Sequence, residues 1–233
     1  MIYKNLKKDF PRAEHSKTPF YVSVAGNIGV GKSMITTMIG EIFNWRMFYE
    51  PVIKNPYLDD YYKDMKRWSF HLQVYFLSKR FEVQKLILDH KGSAVQDRTI
   101  YEDVEIFAPT LHRRGCMDDR DYENYREVFH NMVSFLRPPD LVLYLRAGVD
   151  ASMSRIAERG RDCESDIPRD FIQDLYDAYE EWIGRAGEIC PVRIVDTETV
   201  NLRDDPAAQR ELLDHVAELH ERKRKAMAAG GGA

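Results

Sequence analysis

The strongest constraint on the fold of this chain is the segment from Gly26 to Ser33, which reads GNIGVGKS. It matches the G-x-x-x-x-G-K-S pattern of a phosphate-binding loop, in which glycines let successive backbone N–H groups converge on phosphate oxygens. An apolar segment at 20–25 precedes the loop and a helical pattern at 34–43 follows it, as the motif requires. The sequence therefore predicts a nucleoside triphosphate site on a strand–loop–helix unit.

The residues of this loop have distinct predicted roles. Lys32 neutralises the β- and γ-phosphates, and the hydroxyl of Ser33 is placed to bind Mg²⁺. The N-terminal end of the following helix adds a positive partial charge. The predicted phosphate-binding residues of the loop are Gly26, Asn27, Ile28, Gly29, Val30, Gly31, Lys32 and Ser33.

Strand and helix patterns alternate along the rest of the chain. Short segments rich in Val, Tyr and Leu indicate five buried strands, at 20–25, 45–49, 93–96, 140–145 and 192–195. Apolar residues at helical spacing indicate helices at 34–43, 61–90, 118–136 and 168–187. This alternation predicts an α/β fold with a doubly wound, five-stranded parallel sheet flanked by helices.

The length and composition fit one intracellular globular domain. The chain has 233 residues with 44% hydrophobic content, too apolar for a disordered protein. The near balance of charge, with 34 Lys+Arg and 38 Asp+Glu, argues against a nucleic-acid partner.

The sequence also gives expectations about location. No apolar run approaches the roughly 18 residues of a membrane span. The segment from Met1 to Lys17 lacks the apolar core of a secretion signal. The cysteines, Cys116, Cys163 and Cys190, are too few and too scattered for a disulfide framework, which predicts a cytoplasmic protein.

We expect one domain at 20–218, preceded by an N-terminal extension at 1–19. Residues 219–233 end in small, glycine-rich sequence and are expected to form a disordered tail.

Charged residues follow two of the predicted strands. Glu50 comes directly after the second strand, and Asp97 and Arg98 come after the third. Ligands of open parallel sheets bind beyond the carboxyl ends of the strands. Asp97 is therefore a candidate carboxylate for Mg²⁺, and Glu50 a candidate general base. Arg98 could orient Glu50 or stabilise the transferring phosphoryl group, although strand ends also carry polar residues that have no function.

Arginines cluster after the fourth predicted strand. Arg155 and Arg159 share a helix face, Gly160 ends that helix, and Arg161 projects from the turn. A solvated surface helix is the alternative interpretation of such a run. Its position favours an arginine-rich lid over phosphates, at about 155–167.

These motifs, in this order, make the chain resemble the deoxyribonucleoside kinase family, with the closest fit to its bacterial deoxyadenosine/deoxyguanosine kinases. The resemblance covers about residues 20–185 and implies a P-loop kinase fold. Besides the phosphate loop, the matching segments are Glu50-Pro51-Val52, Trp68 to Gln73 with Tyr75 and Arg80, Asp97 to Asp103, and Arg159 to Arg161.

The resemblance implies a role for each matched position. Glu50 is implied to deprotonate the 5′-hydroxyl of a nucleoside, with Arg98 close by. Arg155, Arg159 and Arg161 are implied to clamp the phosphates of ATP. The implied nucleoside contacts are Gln73, Arg80, Asp103 and Phe107 for the base, and Tyr62 and Glu164 for the 3′-hydroxyl.

The function implied is ATP- and Mg²⁺-dependent 5′-phosphorylation of a deoxyribonucleoside in nucleoside salvage. Deoxyadenosine or deoxyguanosine is favoured and deoxycytidine is possible, while the segment Ile53 to Tyr57 departs from the bulky aromatic of some members and leaves the pocket volume open. A thymidylate-kinase-type enzyme is disfavoured because Glu50 would repel an acceptor phosphate. A non-catalytic nucleotide-binding subunit is disfavoured because Lys32, Glu50 and Arg98 are all present.

The helices at 61–90 and 118–136 carry more apolar surface than one sheet face needs. This surplus, together with the resemblance, predicts a homodimer formed through a helix bundle.

Overall fold

A parallel sheet forms the centre of the protein. The structure is a computed structural model that describes residues 6–8, 10, 18–49, 55–188 and 190–230. The strands are β1 (Tyr21–Ala25), β2 (Arg46–Phe48), β3 (Ala94–Asp97), β4 (Leu141–Arg146) and β5 (Val192–Asp196). All pairings are parallel, in the order β2-β3-β1-β4-β5. The predicted five-stranded parallel sheet is confirmed, with β1 and its phosphate loop at the centre.

Helices cover both faces of this sheet. Their bounds are α1 (Lys32–Phe43), α2 (Leu58–Tyr61), α3 (Met65–Asp89), α4 (Ile100–Glu102), α5 (Ala108–Arg113), α6 (Asp119–Val133), α7 (Val149–Arg159), α8 (Arg169–Ala186) and α9 (Pro206–Gly230). A π-helical turn at Asp103–Phe107 joins α4 to α5, and a 3₁₀ turn spans Asp162–Glu164. Among the described residues, no helix is both long enough and apolar enough to cross a membrane.

The alternation of side chains along the strands explains the two helical layers. Val22, Leu141 and Leu143 point to the face that packs with α1 and α9. Val142 and Tyr144 point to the opposite face, which packs with α8. Both faces are apolar because the central strands β1, β3 and β4 are covered on both sides.

The predicted helix at 61–90 is interrupted near its start. α2 ends at Tyr61 and α3 begins at Met65. The side chain of Asp64 accepts a hydrogen bond from the backbone N–H of Arg67 at 3.0 Å, which caps α3. The capping residue Asp64 therefore explains why a separate helix begins at Met65.

The helical segment at 100–113 is absent from the sequence-based prediction. It begins with a capping box, in which the side chains of Thr99 and Glu102 each accept from the other residue's backbone N–H. The π-helical turn that follows interrupts the 3.6-residue period on which helix recognition depends. The continuous apolar stripe that identifies longer helices is therefore missing here.

The expected disordered tail at 219–233 is wrong for residues 219–230, which continue α9 to Gly230. This stretch is rich in Ala, Lys and Arg, which favour helix. It is also held to the domain: Lys223 Nζ donates to Pro19 O at 2.9 Å and to Asp140 Oδ1 at 2.6 Å. In the expected extension at 1–19, Leu6 and Phe10 are buried in the core beside α1.

Candidate active site

A cavity of about 1100 Å³ lies beyond the carboxyl ends of the central strands. Predicted site residues that line it are Ile28, Gly29, Val30, Gly31, Lys32, Ser33, Tyr62, Gln73, Asp97, Arg98, Phe107, Arg155, Arg159, Arg161 and Glu164. Gly26, Asn27, Arg80 and Asp103 are buried behind this lining. Glu50, with Pro51 and Val52 of the same motif, lies outside the described residues. Most of the predicted residues therefore meet in one crevice.

The lysine of the phosphate loop is held inside the loop. Lys32 Nζ donates to the backbone carbonyl of Gly26 at 2.9 Å and to that of Asn27 at 2.7 Å. The side chain of Asn27 points away, because its Nδ2 donates to Ile172 O at 2.9 Å. Asn27 thus anchors the loop to α8, while Lys32 places a positive charge among the phosphate-facing N–H groups.

Ser33 and Asp97 form a possible cation site next to the loop. The hydroxyl of Ser33 donates to Asp97 Oδ2 at 2.5 Å. The other carboxylate oxygen, Asp97 Oδ1, is buried and has no hydrogen-bond partner within the described part of the chain. A buried acceptor with no donor is costly, and oxygen ligands are what Mg²⁺ prefers. The pair therefore fits the predicted Mg²⁺, which proteins hold through one or two carboxylates, with waters and substrate phosphates.

Arg98 has an unusual backbone conformation for a non-glycine residue, with φ at +60°. Its guanidinium carbon lies 4.5 Å from the ring centroid of Phe107, and its Nη2 donates to Gly26 O at 3.1 Å. Its own carbonyl accepts from Gln96 Nε2 at 2.9 Å. Such strain costs about 1–3 kcal/mol and persists where surrounding contacts enforce it. Here those contacts direct the guanidinium to the phosphate loop.

One wall of the cavity carries groups suited to a nucleobase. Gln73 is 2% exposed and lines the cavity, and no described residue forms a hydrogen bond with its Oε1. Behind this wall, Arg80 Nε lies 2.5 Å from Asp103 Oδ2, with both side chains buried. Buried opposite charges compensate one another, so the pair can stay ionised. Phe107 adds an aromatic ring to the same wall.

The arginines of the predicted lid fall into two groups. Arg159 Nη2 and Arg161 Nη1 both donate to Glu164, at 2.5 Å and 3.2 Å. Arg155 turns instead to the segment after β5, where its Nη1 and Nη2 donate to Thr197 Oγ1 and O at 2.7 Å and 2.9 Å. Tyr62 lines the same cavity as Glu164. The two residues expected to hold the 3′-hydroxyl therefore share the crevice with the lid arginines.

The segment after β5 also lines the cavity, through Thr197, Val200, Asn201, Leu202 and Arg203. The sequence pattern leads us to expect that residues 196–201 contact the base of the phosphate donor. The lining extends this segment by two positions, to Leu202 and Arg203.

Sequence reasoning missed two residues next to the phosphate loop, Glu102 and Tyr179. The carboxylate of Glu102 is fully buried and accepts from Gly26 N at 3.2 Å, from Thr99 N at 2.8 Å and from Tyr179 Oη at 2.7 Å. Burial raises the pKa of Glu102, an effect opposed by the charges of Arg98 and Lys32. The pattern Thr-x-x-Glu at 99–102 is a capping-box signal that could have identified Glu102. Tyr179 carries no such signal, because it lies on an apolar helical stripe.

Comparison with known proteins shows that this chain is similar to deoxynucleoside kinases. The family model for deoxynucleoside kinases matches residues 22–221, most of the chain. Deoxyadenosine kinase of Dictyostelium discoideum is 41% identical over 172 residues, covering 74% of this chain and 70% of the relative. Deoxyadenosine/deoxycytidine kinase of Bacillus subtilis is 37% identical over 207 residues, covering 88% and 95%. The family match spans both the whole phosphate loop and the wall that contains Gln73.

Comparison of the fold with solved structures also finds a deoxynucleoside kinase. The solved structure of deoxyadenosine kinase from M. mycoides with bound dATP superposes with a TM-score of 0.74 at 32% identity. The match covers 85% of this chain and 99% of that one. Sequence and fold thus agree over most of the chain.

Proposed function

This chain belongs to the deoxynucleoside kinase family, and on that basis we propose that it transfers the γ-phosphoryl group of ATP to the 5′-hydroxyl of a purine deoxyribonucleoside in nucleoside salvage. The observation that carries the proposal is the single cavity with a phosphate loop at one end and the Gln73 wall at the other. The family match does not support the alternatives of a nucleoside monophosphate kinase or a non-catalytic subunit.

Positioning and charge stabilisation supply the catalysis in this proposal. Glu50, which follows the cavity-lining Tyr49 in the chain, accepts the proton of the 5′-hydroxyl. The hydroxyl oxygen then bonds to the γ-phosphorus as the bond to the β-phosphate oxygen breaks and ADP leaves. Lys32 and Arg98 neutralise the charge that develops beside the loop. The lid arginines that line the same cavity add further positive charge.

Ser33 and Asp97 are the groups that would hold Mg²⁺. The unpartnered, buried Asp97 Oδ1 supports this assignment, since a cation would satisfy it. When bound, Mg²⁺ neutralises the phosphate oxygens and makes the γ-phosphorus a better electrophile.

The base-facing groups favour a base with an exocyclic amino group. The amide of Gln73 can donate and accept at once. Asp103 can accept from an amino group of the ligand only if one of its carboxylate lone pairs is not used by Arg80. Adenine, guanine and cytosine carry such an amino group on the Watson–Crick edge, and thymine carries none. The curated relatives include deoxyadenosine, deoxyguanosine and deoxyadenosine/deoxycytidine kinases. Deoxyadenosine or deoxyguanosine is the proposed preference, with deoxycytidine as a further substrate.

A panel of deoxynucleosides tests the proposal, with kcat/KM measured for each in the presence of ATP and Mg²⁺. We expect deoxyadenosine or deoxyguanosine to rank first and thymidine last. A kcat/KM for thymidine, or for dAMP as the acceptor, that exceeds the values for deoxyadenosine and deoxyguanosine would contradict the proposed substrate.

The proposed general base is tested by Glu50→Gln. Loss of general-base catalysis is expected to lower kcat by about 100-fold or more, while nucleoside affinity measured by calorimetry stays close to that of the wild type. Turnover near the wild-type rate would remove Glu50 from the mechanism.

We also infer a homodimer formed through α3 and α6. Phe70, Val74, Phe81 and Leu88 lie along one stripe of α3, and Val74 and Leu88 are 40% and 48% exposed. Val128 on α6 is exposed as well. Light scattering at micromolar concentration is expected to give twice the mass of a single chain. A species with the mass of one chain would contradict the dimer.

A cytoplasmic location is the last part of the proposal. All three cysteines are free thiols, as in proteins of reducing compartments. Fractionation of the native cells tests this location.

A further inference from the structure

The buried carboxylate of Glu102 connects three elements next to the phosphate loop. It accepts the backbone N–H of Gly26 from the loop after β1, the backbone N–H of Thr99 after β3, and the hydroxyl of Tyr179 from α8. Gly26 and Tyr179 are separated from Glu102 by 76 and 77 positions in the chain. The capping of a three-residue helix explains the bond to Thr99, but it does not explain the other two.

Gly26 is also contacted through its other backbone group. Its N–H donates to Glu102, and its carbonyl accepts from Arg98 Nη2 at 3.1 Å. Arg98 Nε in turn lies 3.8 Å from Glu102 Oε1. Glu102, Gly26 and Arg98 therefore form a closed triangle in which each member contacts the other two.

We propose that Glu102 is a positioning residue for phosphoryl transfer: its carboxylate fixes the first glycine of the phosphate loop and the guanidinium of Arg98 relative to each other, and the hydroxyl of Tyr179 holds that carboxylate in place. The inference rests on the proposed role of Arg98 at the transferring phosphoryl group. It adds two residues that touch neither nucleoside nor phosphate but determine where the groups that do so lie.

The ionised form of Glu102 is the one that can play this part. Only a carboxylate accepts from Gly26, Thr99 and Tyr179 together while attracting Arg98. The charged groups that face it are Arg98 at the end of β3 and Lys32 on α1, and the titratable group is Tyr179 on α8. Activity that depends on the carboxylate is lost as the pH falls through the pKa of Glu102. Burial raises that pKa, and the hydrogen bond from Tyr179 lowers it.

Tyr179→Phe is the sharpest test because it removes the hydroxyl and keeps the ring. Loss of one hydrogen bond to the carboxylate is expected to raise the pKa of Glu102, so the acid limb of the kcat/KM profile moves to higher pH by about half a unit or more. Near neutral pH, kcat is expected to fall about fivefold, with the KM for the nucleoside unchanged.

Tyr144→Phe is the matched control. The hydroxyl of Tyr144 also donates to a carboxylate on α8, that of Glu180, at 2.9 Å, and its ring stacks on Tyr179. Glu180 has no contact with the phosphate loop among its hydrogen bonds, which go to Tyr144 and Arg146. The acid limb and kcat of this variant are expected to match the wild type.

Glu102→Gln completes a double-mutant cycle with Tyr179→Phe. The single change is expected to lower kcat about 10- to 100-fold, since it removes the charge and one acceptor, and to abolish the effect of Tyr179→Phe in the double variant. Two results would overturn the proposal. One is that the effects of the two substitutions on kcat are fully additive in the double variant. The other is that both single variants keep the wild-type kcat and an unmoved acid limb. If Glu102→Gln does not fold, the pH profile of Tyr179→Phe against Tyr144→Phe decides.

Arg98→Lys separates this proposal from the one it rests on. If Arg98→Lys loses turnover while the acid limb of Tyr179→Phe stays at the wild-type pH, only the role of Glu102 fails. If Arg98→Lys retains turnover, the proposed role of Arg98 fails. A shifted acid limb in Tyr179→Phe would then mean that Glu102 positions only Gly26 of the phosphate loop.

Discussion

The side chain of Gln73 is almost fully buried, and its Oε1 has no hydrogen-bond partner among the residues that the structure describes. Because Gln73 also lines the cavity, a ligand bound there can supply the missing partner. We therefore predict that Gln73→Leu raises the KM for the preferred deoxynucleoside about tenfold or more, while the KM for ATP stays within about twofold. Steady-state kinetics with each substrate varied in turn measures both values.

Gln84 supplies the control for this prediction. It is a buried glutamine on the same helix, and its Nε2 donates to Tyr21 Oη at 2.9 Å, away from the cavity. Gln84→Leu is expected to lower the thermal unfolding temperature without moving the nucleoside KM. Equal KM values in the two variants would remove Gln73 from the base contacts.

Candidate site residues can be predicted from the sequence where their spacing reflects the chemistry. Lys32 and Ser33 follow from the loop motif, and Asp97 and Arg98 from their position at a strand end. Tyr179 could not be found in this way, because its role depends on a contact across 77 positions and its own position on α8 indicates only core packing. Tertiary contacts between distant polar groups leave no periodic signal in one sequence.

At the scale of elements, the phosphate loop packs tightly against α7, the helix that carries Arg155 and Arg159. Gly29 has φ at +86°, and a Cβ there would lie 2.6 Å from Ser152 O and 3.0 Å from Ile156 Cγ1. We predict that Gly29→Ala lowers the free energy of unfolding by about 1–3 kcal/mol beyond the cost of the backbone conformation alone. Thermal or urea unfolding measures this loss.

Gly31→Ala is the matched control, since Gly31 has φ at +99° and a Cβ added there would meet no atom within 4 Å. Both variants place a side chain at positive φ, so the difference between them isolates the contact with α7. Equal losses of stability would show that α7 moves aside without cost.

Buried strands are the most predictable elements of the fold. All five occur within one residue of the expected bounds. The central strands β1 and β4 form nearly continuous apolar runs, which are typical of strands covered on both faces. The segments that escaped prediction have other causes. The π-helical turn at Asp103–Phe107 breaks the helical period, and the C-terminal helix depends on anchoring by Lys223 as well as on composition.

The near-neutral charge of the whole molecule conceals a division within one cavity. Lys32, Arg98 and the lid arginines gather where phosphates are expected, and Asp97 and Glu164 lie where a cation and a hydroxyl are expected. The surface outside this cavity carries the exposed apolar stripe of α3. We therefore assign the charge pattern to the proposed substrates and the apolar pattern to the proposed dimer.

This division predicts that assembly can be disrupted at the stripe alone. Val74→Glu is expected to convert the dimer to a monomer, because burying an unpaired carboxylate in an apolar interface is strongly unfavourable. Met227→Glu is the control, since Met227 is 55% exposed on α9 and lies outside the stripe. Light scattering of both variants measures the effect; a Val74→Glu variant with the same mass as the wild type would contradict it.

One buried contact also limits how this protein can change during evolution. Arg80 pairs with Asp103 behind the base-facing wall, and its Nη1 also donates to the carbonyl of Arg98 at 3.3 Å. Replacing Arg80 to accommodate a different nucleobase is therefore expected to loosen the strained backbone that directs Arg98 to the phosphate loop. If Arg98 acts as proposed, a change in substrate preference by this route is expected to lower turnover. Lineages that take it are expected to acquire compensating changes around Gln96, whose Nε2 shares the same carbonyl.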